Sequence, residues 1–171
     1  RYQIQPIADF NEPWALAEIP DGRLLITEKA GKLKLFDPKT GQSLDVQAIA
    51  EVAYGGQGGL GDVILDPEFK QNQQIYLSYA EAGTGGYGAV VIRGKLLLDA
   101  KPTPKLAQIQ RIWQQVPKVS GQGHYAHRIK FGADGKLWIS SGERQKFEPA
   151  QDLKSNLGKI LRLNADGTTP L

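Results

Sequence analysis

The sequence predicts an all-β fold: a β-propeller segment of about three four-stranded blades. The first observation behind this is a repeated unit, in which an Asp-Gly turn enters a short apolar run. Asp21-Gly22 precedes Leu24-Leu25-Ile26-Thr27, Asp134-Gly135 precedes Leu137-Trp138-Ile139-Ser140, and a looser copy runs from Asp66-Pro67 to Ile75-Tyr76-Leu77-Ser78-Tyr79. The second is order, since each unit follows one apolar run and precedes another, the pattern of an antiparallel meander. The third is spacing. Asp21 and Asp66 lie 45 residues apart, within the ~40–50 residues of a propeller blade, and the 68 residues from Asp66 to Asp134 leave room for an insertion.

The first blade is expected over residues 10–50. Its strands are Trp14 to Ile19, Leu24 to Glu28, and Lys32 to Phe36, where apolar and polar residues alternate; Asp37-Pro38 ends the last of these, because proline cannot donate to a ladder. The second covers 51–120, with Gly61 to Leu65, Gln74 to Tyr79, the continuous apolar run Ala89 to Arg93, and an outer strand within Ala107 to Val116. Gly83 to Gly88 reads as a mobile turn. The third covers 121–171, with Arg128 to Phe131, Leu137 to Ser141 and the alternating Lys159 to Leu163. Asp-Gly suits the positive φ of tight hairpins throughout.

The 171 residues suffice for one domain with a real core, and 40% hydrophobic with 23% charged residues is a globular composition. A net charge of +3 is too weak to argue for nucleic acid, despite a pI near 9.1. No apolar stretch approaches the ~20 residues of a membrane span, and the opening Arg1-Tyr2-Gln3-Ile4 is no charged-then-apolar leader. Without cysteine there are no disulfides, thiolate nucleophiles or zinc–cysteine sites.

Chemistry concentrates in three places. His124 and His127, the only histidines, lie in Gly121-Gln122-Gly123-His124-Tyr125-Ala126-His127-Arg128, just before the first strand of the third blade. A loop entering an inner strand lines the central face of a propeller, and imidazole, with an ordinary pKa near 6.5, can act as a base near neutrality. Next, Ser141-Gly142-Glu143-Arg144-Gln145 follows the second strand of that blade, so Glu143 reaches the same rim and could fix the tautomer of His124; the alternative for Glu143 and Arg144 is a solvated turn. Finally, five glycines between Gly55 and Gly61 surround the single amide Gln57, and either admit something flat or only turn the chain. A metal site from His124, His127 and Glu143 is disfavoured, because histidines three apart on an extended segment face opposite ways.

The collinear order of Glu12-Pro13-Trp14, Pro20-Asp21-Gly22-Arg23-Leu24, Gly56-Gln57-Gly58-Gly59-Leu60, Asp66-Pro67, Gly123-His124, Arg128-Ile129, Gly142-Glu143, Gln151-Asp152-Leu153 and Gly158-Lys159-Ile160-Leu161 resembles the soluble glucose/sorbosone dehydrogenases that depend on pyrroloquinoline quinone, the aldose sugar dehydrogenases above all. The resemblance implies a six-bladed propeller of which this chain supplies the N-terminal half. It further implies oxidation of the C1 hydroxyl of aldose sugars with hydride transfer to the quinone, His124 as catalytic base, and Glu143 in place of the family's usual supporting aspartate. Gln57, Gln145 (or Gln151) and Arg128 become cofactor contacts, and calcium is expected with ligands outside this chain. An external electron acceptor and a periplasmic or secreted location are implied too. Ala126 and His127 stand where the family has small glycines, so the His127 imidazole is expected to crowd a flat cofactor. Lys146 and Phe147 interrupt an amide-rich turn. On those departures a non-catalytic propeller binding a glycan or a protein is the alternative. Three blades cannot close a six-bladed ring, so end faces bearing Trp14, Leu25 and Trp138 are expected to meet the missing C-terminal half, or a second copy in a homodimer.

Overall fold

The computed structural model describes residues 2–171, so Arg1 of the opening lies outside it. Among these residues eleven strands form three sheets, each a meander in which sequence neighbours pair antiparallel. The first holds β1 (Pro13–Glu18), β2 (Leu24–Glu28), β3 (Lys32–Phe36) and β4 (Ser43–Asp45). The second holds β5 (Leu60–Leu65), β6 (Gln74–Gly83), β7 (Gly86–Leu97) and β8 (Lys105–Gln114). The third holds only three strands, β9 (Ala126–Phe131), β10 (Leu137–Ser141) and β11 (Lys159–Leu163), one fewer than the four expected. Among the described residues helix is confined to one turn, α1 (Phe69–Asn72), and a 3-10 turn at Glu148–Ala150. The Gly83–Gly88 stretch is no loose turn. β6 and β7 pair from Gln74↔Lys95 out to Gly83↔Gly86, so only Thr84 and Gly85 lie beyond the ladder.

Among the described residues only a few backbone bonds pass from one sheet to the next, such as Leu60 N–H to the Lys29 carbonyl and the single parallel bridge Gln47↔Lys105, so the arrangement rests mainly on side chains between faces. Leu25, Leu33, Leu35 and Val46 of the first sheet meet Leu60, Val63, Ile75, Leu77 and Val90 of the second in one apolar layer. Tyr76 and Val91, on the opposite face of the second sheet, meet Ile129, Leu137 and Ile139 of the third. The middle sheet is therefore buried on both sides. Its strands must be apolar without alternation, which is why Ala89-Val90-Val91-Ile92 is a continuous run while Lys159–Leu163, on an end sheet, alternates.

The innermost edges are sewn by polar groups. The Thr27 hydroxyl donates to the Gly61 carbonyl at 2.7 Å, and the Ser78 hydroxyl to the His127 carbonyl at 2.7 Å. Asp62, almost fully buried, accepts from the Ile129 N–H at 2.9 Å and from Arg128 Nη1 at 3.0 Å. Burial pushes its carboxyl pKa up; the Ile129 N–H and the Arg128 charge oppose the shift.

Of the residues expected on the open end faces, Leu25 is misplaced. Its side chain points to the middle sheet and is fully buried, because the register Ala17↔Leu25↔Leu35 sets it on the inner face of the first sheet. Trp14 is only partly exposed. The outer faces instead carry Leu16, 59% exposed, and on the third sheet Trp138 and Ile160, at 40% and 68%. Ile26 on that first outer face is covered, in a groove lined by Ile7, Ala8, Phe10 and Phe36. Apolar faces that a closed ring would bury are association sites in water. A polypeptide of these 171 residues alone is expected to self-associate in light scattering; a well-folded monomer would show that both end faces tolerate solvent.

Candidate functional site

Three loops converge at one end of the second and third sheets: residues 54–59 before β5, 121–125 before β9, and 142–147 after β10. The glycines of the first loop are what let it lie flat. A Cβ at Gly56 would come within 2.6 Å of the Gln122 carbonyl oxygen, and the Gln57 N–H donates to that oxygen at 2.7 Å. Gly142 does the same for the third loop, since a Cβ there would fall 1.8 Å from the His124 carbonyl oxygen. Only glycine admits such backbone-to-backbone approach.

His124 sits where the three loops meet. Its N–H donates to Gln57 Oε1 at 2.7 Å, and its carbonyl accepts the Arg144 N–H at 3.3 Å. Its side chain is half-exposed, with Nδ1 hydrogen-bonded to Glu143 Oε1. The other Glu143 oxygen accepts the Lys146 N–H at 2.8 Å. The bond from His124, aided by the Lys146 and Phe147 N–H groups, holds the Glu143 carboxyl below the usual range despite some desolvation. An ionised carboxylate only accepts, so Nδ1 carries the imidazole proton and Nε2 is left as the basic lone pair.

Gln57, His124, Glu143 and Gln145 are thus gathered together; the Gln145 amide lies over Gly123, where an added Cβ would meet its Oε1 at 2.5 Å. Gln151 instead closes the 3-10 turn, its N–H donating to the Glu148 carbonyl at 3.0 Å. Arg128 stands apart on β9. Its guanidinium lies over the Trp14 ring, 4.4 Å from the centroid, with Nη1 on Asp62 and most of the side chain in solvent.

His127 is not on this surface. It is 4% exposed and stacked on Tyr125, centroids 5.2 Å apart, with the Trp14 edge at 6.0 Å. Crowding of a cofactor by its imidazole is therefore excluded, and the family's glycines find another reason. From Ala126↔Ser141 to Ile129↔Ile139, β9 advances one residue more than β10, and this bulge places Ala126 at φ +70° and His127 at +65°. These are values that glycine adopts freely and an L-residue adopts at a cost of about 1–2 kcal/mol.

Arg144, read from sequence as a solvated turn, is 1% exposed. Its guanidinium lies 3.7 Å over the Tyr125 ring and donates to the carbonyls of Gly123 (2.7 Å), Tyr87 (2.6 Å) and Gly121 (2.5 Å). No local pattern announces this, because its acceptors come from the loop before β9 and from β7.

An open rim on consecutive antiparallel meanders, with a carboxylate-held imidazole facing solvent, defines a segment of a propeller. The sequence model described as "Glucose / Sorbosone dehydrogenase" matches residues 10–171, and the chain belongs to that family. It is 38% identical over 162 residues to Aldose sugar dehydrogenase YliI of Escherichia coli, covering 94% of this chain and 43% of that protein. Among solved structures, the apo-form of the soluble E. coli aldose sugar dehydrogenase superposes with TM-score 0.87 at 37% identity, over 94% of this chain and 46% of that one. The PQQ-bound aldose sugar dehydrogenase of Streptomyces coelicolor superposes with TM-score 0.81 at 30% identity, over 96% and 48%. The chain thus spans less than half the length of these relatives and corresponds to their N-terminal part.

Neither nitrogen of His127 has a hydrogen-bond partner among the described residues. Desolvation first, and the Arg144 charge second, lower its pKa from 6.5 to about 4. The unfolded chain therefore binds the extra proton first as pH falls. The stability held above pH ~6.5 should decline by about 3 kcal/mol on approach to pH ~4 and then level off. Urea unfolding at pH 7.5, 5.5 and 4 checks this against His127→Phe, which should lose that part of the acid sensitivity; equal sensitivity in both would rule out His127 as its source.

Proposed function

We propose that this chain supplies the catalytic base and part of the cofactor-binding surface of a dehydrogenase that oxidises the C1 hydroxyl of aldose sugars. The observation that supports this best is the His124–Glu143 pair, which leaves Nε2 basic and open to solvent. Oxidation at C1 removes a hydride from carbon and a proton from the hydroxyl. His124 Nε2 takes the proton, and Glu143 stabilises the imidazolium that results. Pyrroloquinoline quinone, when bound, supplies the hydride acceptor that no side chain here provides.

The donor set suits that anionic, oxygen-rich group. The Gln57 carbonyl is occupied by the His124 N–H, so its NH₂ is free to donate outward. Gln145 is exposed beside it, and Arg128 offers its remaining guanidinium donors to solvent. These three would hold the quinone; Arg128, steadied by Asp62, contributes the positive charge. Calcium, which the family resemblance implies, would be held by groups outside these residues. The electrons would pass to an external acceptor, and the setting expected from the family resemblance is periplasmic or secreted. The buried His127 removes the crowding that favoured a non-catalytic glycan- or protein-binding propeller.

Dye reduction by the full-length protein loaded with quinone and calcium, with glucose and other aldoses as substrates, tests the reading directly. His124→Ala should lower kcat by about 10²–10⁴-fold with quinone affinity changed much less; unaltered turnover would sink the assignment. Glu143→Gln keeps the shape but removes the charge that stabilises the imidazolium, so the acidic limb of the pH–rate profile should move to lower pH. A stationary limb would reduce Glu143 to a structural turn.

A further inference from the structure

A buried guanidinium whose partners are carbonyl oxygens rather than a carboxylate is an expensive feature. Charge burial costs several kcal/mol unless the surroundings are polar and well aimed, and an arginine retained on such terms points to what it holds. Arg144 holds the loop that carries His124. Two of its acceptors, Gly121 and Gly123, lie in the three residues before the histidine, and its own N–H reaches the His124 carbonyl. The third carbonyl, Tyr87, belongs to β7 of the middle sheet, and a longer contact at 3.4 Å reaches Gln115 Oε1 just past β8. The Gln115 amide in turn donates to the Gly142 carbonyl at 2.7 Å and to the Ser141 hydroxyl at 2.9 Å. The loop before His124, the loop after β10 that carries Glu143, and the middle sheet are therefore tied to one planar cation that rests on the Tyr125 ring.

The tie opposes backbone strain. His124 lies at φ +48° and Arg144 at +62°, conformations that an L-residue keeps only where its surroundings over-determine them. Release of the loop would let His124 relax out of the left-handed region and carry its Nδ1 away from Glu143. A five-donor fork is needed, because a lysine has one nitrogen and cannot span two carbonyls of the loop before β9 and a third on the neighbouring sheet.

We infer that Arg144 is a positioning residue for His124: it fixes the backbone on which the base is mounted, as Glu143 fixes the ring. The inference rests on the proposed role of His124 as base, but its test need not. Free imidazole favours the Nε2–H tautomer, whereas the bond to Glu143 requires Nδ1–H. In the full-length protein with ¹⁵N-labelled histidine, the His124 signal, assigned by its loss in His124→Gln, should report Nδ1–H. In Arg144→Lys and Arg144→Met it should move toward a mixture of tautomers, with kcat on an aldose reduced about 10–100-fold and KM changed less. Folded Arg144 variants that keep the wild-type tautomer overturn the inference. If neither variant folds, Tyr125→Leu removes the ring beneath the guanidinium and leaves every carbonyl in place; an unchanged tautomer there overturns it equally. Unaltered turnover in His124→Ala with a tautomer shift in the Arg144 variants would remove the base assignment and leave the positioning intact.

Discussion

Among the described residues the second and third sheets share no ladder of paired strands, so the rim depends on how the third sheet is fixed to the second. Asp62 is the constraint at that joint. Its carboxylate leaves β5, crosses to β9, and spends its oxygens on the Ile129 N–H and on Arg128. A one-residue slip of β9 would leave this buried carboxylate only the Val63 N–H of its own strand, at a cost of several kcal/mol. The same joint fixes the bulge at 126–127, and the bulge turns the chain so that His124 faces solvent while His127 faces Tyr125 and Trp14.

Much of this was legible along the chain. The Asp-Gly turns, the period-two runs of Lys32–Phe36 and Lys159–Leu163, and the pairing of a rim histidine with Glu143 all follow from local chemistry and short connections. What escaped the sequence depends on which faces meet. Leu25 was expected outside because the strand is apolar on both sides, and only the pairing with Ala17 and Leu35 says which side is inner. Arg144 and His127 were misjudged for a common reason. A polar residue on a glycine-rich rim ordinarily faces water, and nothing nearby in sequence shows that Tyr87 and Tyr125 will enclose it.

A short series of stacked groups links these residues. Arg144 lies on Tyr125, Tyr125 on His127, the edge of Trp14 meets His127, and Arg128 lies on Trp14. Two cations close the series at either end, and the imidazole between them is kept neutral by burial first and by the Arg144 charge second. His127 serves as a flat spacer, and its unpartnered nitrogens are tolerated because the ring stays uncharged.

The double burial of the middle sheet has a consequence for how rigidity is distributed. In a stack with one fully enclosed layer and two half-open ones, local opening is cheapest at the outer layers and dearest at the centre. The loop that carries His124 belongs by connectivity to an outer layer. Its polar contacts, however, run to Gln57, to Tyr87 and, through Arg144, to Gln115, all of which belong to the central layer or lead into it. His124 thus borrows the slow breathing of the enclosed sheet while keeping the solvent access of the open one, so fraying of β11 can proceed without unseating it.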